Sequence, residues 1–183
     1  MTRLFDESRR SFLQLGLATL ASVTVTPALA AVPRPKGIRA LGFRNLHTDE
    51  KLRVDYWKDG KYDRAGLAKI NRILRDHYSG DVRAMSLRLL DLLHDLQGRM
   101  GHEGAIEVIS GYRSPRTNLK LASASDGVAK HSYHTKGMAI DIRLPGKPLT
   151  KVYQTALNMR RGGAGFYPDS QFVHVDVGPV RRW

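Results

Sequence analysis

No cysteine occurs among the 183 residues of this chain. Disulfides and thiolate metal sites are therefore excluded, and any metal must be held through nitrogen and oxygen. Acidic residues are also scarce, 17 against 30 Lys and Arg, which leaves a net charge of +13 and a pI near 10.3. A surplus of that size points to an anionic partner: a cell-wall polymer, a membrane surface or nucleic acid. Aromatic side chains make up only 8% of the chain and are not interleaved with the basic ones. That argues against a nucleic-acid face. No internal repeat is present, and nothing after residue 37 reads as disordered. The length fits one domain.

The N-terminus is read as a targeting segment. Arg3, Arg9 and Arg10 precede residues 11–33, which carry no charge and include Ala28-Leu29-Ala30, an A-x-A cleavage pattern. The strongly apolar part, Phe12 to Leu20, is short for a membrane span, and Ser22, Thr24 and Thr26 bring hydroxyls into the second half of the run. A signal peptide over residues 1–30 is expected, with no membrane span once it is cleaved. Ser8-Arg9-Arg10-Ser11-Phe12-Leu13 resembles the twin-arginine export motif. Residues 31–37, with Pro33 and Pro35, read as an extended linker, and residues 38–183 as the functional domain. Without residues 1–30 the chain keeps 27 basic and 15 acidic side chains, a net charge of +12. Export sets nucleic acid aside as the partner.

Along the domain, alternating Leu41, Phe43, Leu52, Val54 and Tyr56 predict a hairpin. Asp63 caps a predicted helix through about residue 78, and Ser79-Gly80 ends it. Asp81 then opens a second predicted helix whose buried stripe runs through Val82, Met85, Leu89, Leu92, Leu93, Leu96 and Met100. His77 and His94 have no ligand partner four residues on, and are read as structural or surface residues. Residues 105–109 predict a central strand, followed by a short helix capped by Ser114-Pro115 and ending near Leu121. A loop over residues 123–130, a strand over 138–144 and a helix over 148–160 come next. Gly162-Gly163 breaks that helix, and residues 171–177 predict the last strand. The pattern is mixed α+β.

Two stretches concentrate the chemistry. Ser132-Tyr133-His134-Thr135-Lys136-Gly137-Met138-Ala139-Ile140-Asp141 places an imidazole and a carboxylate seven positions apart, and Phe172-Val173-His174-Val175-Asp176-Val177 adds a second imidazole. Alternation puts His174 and Asp176 on one face of their strand and the valines on the other. If the strands pair, Asp141 can lie opposite His174, with His134 reaching in from the preceding loop. Two His and one Asp suffice for a catalytic zinc with its fourth position open to water. Such an ion acidifies its water and polarises a carbonyl, and a base must take the proton. Arg113, at the exit of the central strand, offers a planar fork for an oxyanion or a carboxylate.

These residues carry a family resemblance. The first stretch resembles the S-x-H-x-x-G-x-A-x-D motif of zinc D-Ala-D-Ala peptidases, within them the murein endopeptidase branch. Gly111-Tyr112-Arg113-Ser114 resembles that family's G-[YF]-R-[ST] segment, and residues 172–183 resemble the branch's closing segment. The resemblance implies that His134, Asp141 and His174 hold zinc and that Arg113 orients substrate or transition state. It implies a fold of the lysostaphin and hedgehog type, with zinc on an antiparallel sheet flanked by helices. The implied activity is hydrolysis of peptide cross-links in peptidoglycan, in the periplasm. One position departs: many relatives carry Asp or Glu three residues before the last His ligand, and this chain has Gln171, which cannot abstract a proton. Asp176 is then the first candidate for the base, with Asp169 and His131 behind it. Asp176 could equally orient a ligand imidazole. A non-catalytic wall-binding protein on the same fold and a D,D- or L,D-carboxypeptidase are the alternatives.

Overall fold

A single eight-stranded sheet organises the chain in this computed structural model, which describes residues 37–125 and 127–183. The expected signal peptide and residues 31–36 of the linker lie outside the described residues. Strands β1 (Ile38–Asn45) and β2 (Lys51–Lys58) form the expected hairpin, extended at its edge by β3 (Lys61–Tyr62). Helices α1 (Arg64–Ile73) and α2 (Leu87–Met100) lead to β4 (Ile106–Ser110), which pairs in parallel with β1. After α3 (Pro115–Ala124) come β5 (Ala139–Arg143), α4 (Leu149–Met159), β6 (Gly163–Tyr167), β7 (Phe172–Asp176) and β8 (Arg181–Arg182). The order across the sheet is β3-β2-β1-β4-β5-β7-β6-β8.

The sheet is therefore mixed, which corrects the expectation of an antiparallel one. Two helices between β1 and β4 supply the long crossover that parallel pairing needs, and β8 also runs parallel to its neighbour β6. The four central strands β4, β5, β7 and β6 pair antiparallel throughout. Ile140, Ile142, Val173 and Val175 turn one face into the core, against which α4 packs, with α2 beyond. Leu89, Leu93 and Leu96 of α2 are fully buried, and truncating any of them to Ala costs about 2–5 kcal/mol. Among the described residues no helix is long and apolar enough to cross a membrane.

Three helix boundaries differ from expectation. The first helix stops at Ile73 because Asp76 builds a turn: its Oδ1 accepts from the backbone N–H of Tyr78 at 2.9 Å and of Ser79 at 3.4 Å. The second begins at Leu87, with Ser86 at its N-cap, instead of at Asp81. The preceding backbone is held extended by tertiary bonds, Met85 N–H to Asn71 Oδ1 at 2.9 Å and Ser86 N–H to the Gly137 carbonyl at 2.8 Å. Val82 is consequently 51% exposed rather than part of the buried stripe. The third helix runs on to Ala124, and β6 and β8 are strands the sequence did not predict.

Candidate metal centre

Two devices place the three candidate ligands. His134 sits in a 3₁₀ turn, Tyr133–Lys136, whose N-cap Ser132 Oγ accepts the His134 N–H at 3.2 Å. Gly137 closes the turn at φ +66°, and a Cβ there would lie 2.5 Å from the Ala84 carbonyl oxygen. Only glycine combines that φ with that approach. Asp141 on β5 lies directly opposite His174 on β7, the register on which the convergence depends. All three residues are buried.

The hydrogen bonds behind the ligands decide what faces the centre. His134 Nδ1 donates to the Gly111 carbonyl at 2.7 Å, which leaves the Nε2 lone pair pointing inward. His174 Nε2 donates to Asp176 Oδ2 at 3.0 Å, so Nδ1 is its inward atom. His134 Nε2 is 3.2 Å from His174 Nδ1 and 3.3 Å from Asp141 Oδ2, and His174 Nδ1 is 2.8 Å from Asp141 Oδ1. Three acceptors thus converge, and a positive charge is needed among them. Tetrahedral zinc with bonds of about 2.0–2.1 Å separates its ligand atoms by roughly 3.3–3.4 Å. The donor set and its spacing fit that ion.

The titration of the group expresses the same demand. Burial pushes His134 below the ordinary imidazole range, with Asp141 opposing. Burial acts on His174 likewise, but the carboxylates of Asp141 and Asp176 outweigh it and the net direction is up. Burial would raise Asp141, yet the two imidazoles hold it well below the carboxylate range. These directions express a demand for positive charge at the centre, which a metal ion meets by taking the place of protons.

Asp176, expected first as a base, is fully buried behind His174. Its Oδ1 accepts from Gly178 N–H at 2.8 Å, Gly163 N–H at 3.2 Å and Arg181 Nη1 at 3.1 Å, and its Oδ2 accepts from Arg181 Nη2 at 2.7 Å besides His174. Burial raises its pKa, but these donors bring it down to about 2. A carboxylate so occupied, on the far side of the ring from the inward Nδ1, suits orientation of a ligand imidazole and not proton abstraction. Asp169 is exposed in the β6–β7 turn, and the Gln171 amide is bonded to the Pro168 carbonyl of the same turn.

A cleft of about 510 Å³ opens over His174, lined by Arg113, His131, Tyr167, Arg181 and Trp183 among others. Arg113 is one of the cations of this wall. Its Nη2 reaches Ser132 Oγ only at 3.5 Å, its Nε is buried without a partner, and burial lowers its pKa against the pull of Asp141. Sequence reading did not single out Tyr167, Arg181 or Trp183. The available signal was Gly163 and Gly165, which alternate on β6: a Cβ at Gly165 would lie 2.5 Å from the Trp183 ring. His77 stacks on His47 with ring centroids 3.7 Å apart, outside this set.

Residues 34–183 match the family model described as peptidoglycan L,D-endopeptidase MepK. The chain is 43% identical over 180 residues to the peptidoglycan L,D-endopeptidase MepK of Escherichia coli K12 and to that of Shigella flexneri, covering 98% of either chain in each pairing. It is also 43% identical to the probable peptidoglycan L,D-endopeptidase MepK of Haemophilus influenzae, over 97% of this chain and 96% of the relative. No solved structure matches. A match over the whole described domain, with the His-Asp-His group at its centre, leaves one conclusion: the chain belongs to the peptidoglycan L,D-endopeptidase MepK family.

Proposed function

We propose that the chain is a zinc-dependent endopeptidase that hydrolyses peptide cross-links of peptidoglycan, including those joining an L-centre to a D-centre, as the names of its relatives describe. The observation that carries the metal assignment is the convergence of two imidazole lone pairs and a carboxylate, fixed by the Gly111 carbonyl and by Asp176. His134, Asp141 and His174 hold the ion. Bound zinc supplies an activated water and polarises the scissile carbonyl. Arg113 presents its guanidinium to the oxygen on which negative charge develops, or to a substrate carboxylate. Asp176 keeps the ring of His174 in its orientation. Of the three candidates for proton acceptor, His131 is the one that lines the cleft, and we assign it that role. The protein works in the periplasm after export by the twin-arginine route, with residues 1–30 as signal and residues 31–37 as linker, and its net positive charge retains it on the anionic wall.

Digestion of purified sacculi tests this. Zinc-loaded protein should convert cross-linked dimers to monomers, and a chelator should stop it. Dimers that persist with zinc, and a fragment pattern indifferent to chelator, would leave a wall-binding protein as the better account.

A further inference from the structure

Arg181 is not a candidate ligand, base or substrate-orienting group, yet it joins both halves of the centre. We infer that Arg181 is a positioning residue of the metal centre: its two-pronged grip fixes the rotation of the Asp176 carboxylate, and so fixes which nitrogen of His174 faces His134 and Asp141. The inference rests on the zinc reading of that centre.

The geometry is specific. Both backbone donors to Asp176, from Gly163 and Gly178, fall on Oδ1. Oδ2, the atom that takes the His174 proton, has Arg181 Nη2 at 2.7 Å as its other partner. Without that guanidinium the carboxylate can pivot about Oδ1, and the Nε2 of His174 loses a fixed acceptor. Arg181 is itself held. Its Cζ lies 5.0 Å from the ring centre of Tyr133 and 4.9 Å from that of Trp183, within the range of cation–π attraction. Tyr133 immediately precedes His134, so the turn that carries one imidazole also braces the group behind the other. Trp183 in turn lies against His174 at 5.2 Å between ring centres, and its Nε1 donates to Tyr167 at 2.7 Å. An ordinary salt bridge at 39% exposure would be worth little. What sets this one apart is that its acceptor is a fully buried carboxylate already bonded to a ligand ring. A planar, bidentate cation holds both oxygens there, and lysine, a point charge, can reproduce that grip only in part.

Competition titration of zinc against a chromophoric chelator, paired with solvent exchange of the His174 Nε2–H proton followed by NMR in the zinc-loaded protein, tests the inference. Arg181→Ala should weaken zinc binding by about 10–100-fold, the cost typical of losing a group behind a metal ligand. It should also speed exchange of that proton. Arg181→Lys should fall between, and Arg182→Ala, on the exposed neighbour, should match the unmodified protein. Zinc affinity within twofold of unmodified together with an unchanged proton would overturn the inference. If the alanine variant does not fold, an Arg181→Lys protein equal to the unmodified one overturns it equally. An unmodified protein that takes up no zinc removes the metal reading itself and this inference with it, whereas normal uptake by all variants removes the inference alone.

Discussion

Replacing Arg113 by alanine separates turnover from both metal binding and stability. Its guanidinium makes no salt bridge to any described residue, its side-chain hydrogen bond to Ser132 is stretched to 3.5 Å, and its Nε is buried unpaired. A buried donor without a partner costs about 1–3 kcal/mol. Truncation removes that cost along with the packing of the side-chain stem, so folding stability should stay level or rise slightly. The Arg113 backbone N–H that reaches the His134 carbonyl at 3.3 Å is untouched, so zinc stoichiometry should stay at that of the unmodified protein. Loss of a donor aimed at developing negative charge costs about 10²–10³ in kcat. Arg113→Lys should recover only part of this, because a point charge cannot reproduce a planar fork. Three measurements decide: turnover on a cross-linked muropeptide, zinc per chain, and a urea unfolding curve. Turnover within threefold of unmodified would refute the catalytic assignment. A loss of zinc, or destabilisation by several kcal/mol, would show instead that Arg113 is a structural brace.

His134→Ala and His174→Ala should each abolish hydrolysis and lower bound zinc, read by metal analysis on the same preparations. His131→Asn should retain zinc and cut turnover by about 10²–10⁴-fold, the contribution usual for a positioned proton acceptor; turnover unchanged across the pH profile would clear His131 of that role. Asp76 offers a stability test. Burial raises its pKa, but Thr117, the Ser114 N–H at 2.9 Å and the Tyr78 N–H outweigh that and hold it well below the carboxylate range. A depressed pKa stabilises the fold above the unfolded value of about 4, and the contribution is lost as pH falls. Asp76→Asn should therefore destabilise at pH 7, by about 1–3 kcal/mol for the donors left poorly paired, and the gap to the unmodified protein should narrow toward pH 2. A constant gap in urea melts across that range would exclude the linkage.

Local pattern made the centre legible. Strict alternation over Phe172–Asp176 places His174 and Asp176 opposite the buried valines, and the same period in β5 separates Asp141 from Ile140 and Ile142. Pairing of these two strands is then enough to set Asp141 against His174. The helix starts were not legible in the same way. Ser86 and Asp81 are both acceptable caps, and the choice was made by Asn71 and Gly137, which hold residues 85 and 86 extended from elsewhere in the chain. No local periodicity carries that information. Asp76 was hidden for a related reason: its value lies in the three backbone N–H groups it collects, and one of them, on Ser114, is 38 positions away.

The departure from an antiparallel sheet bears directly on the site. Gly162-Gly163-Ala164-Gly165 reads as a helix break because glycine weakens regular structure. On a strand, however, glycine also marks the close approach of another group. Here Gly163 and Gly165 bare the face of β6 on which Arg181 and Trp183 lie, and β8 reaches that face by pairing in parallel with β6. Antiparallel pairing of β5, β7 and β6 alone would set Asp141 against His174 but leave Asp176 with only the backbone N–H groups of Gly163 and Gly178 to steady it. Strand alternation thus specifies two of the candidate ligands, Asp141 and His174, and a tail that returns to the sheet edge supplies their support. The two layers fail separately: substitutions at His134 or His174 should remove the ion, whereas those at Arg181 should loosen it.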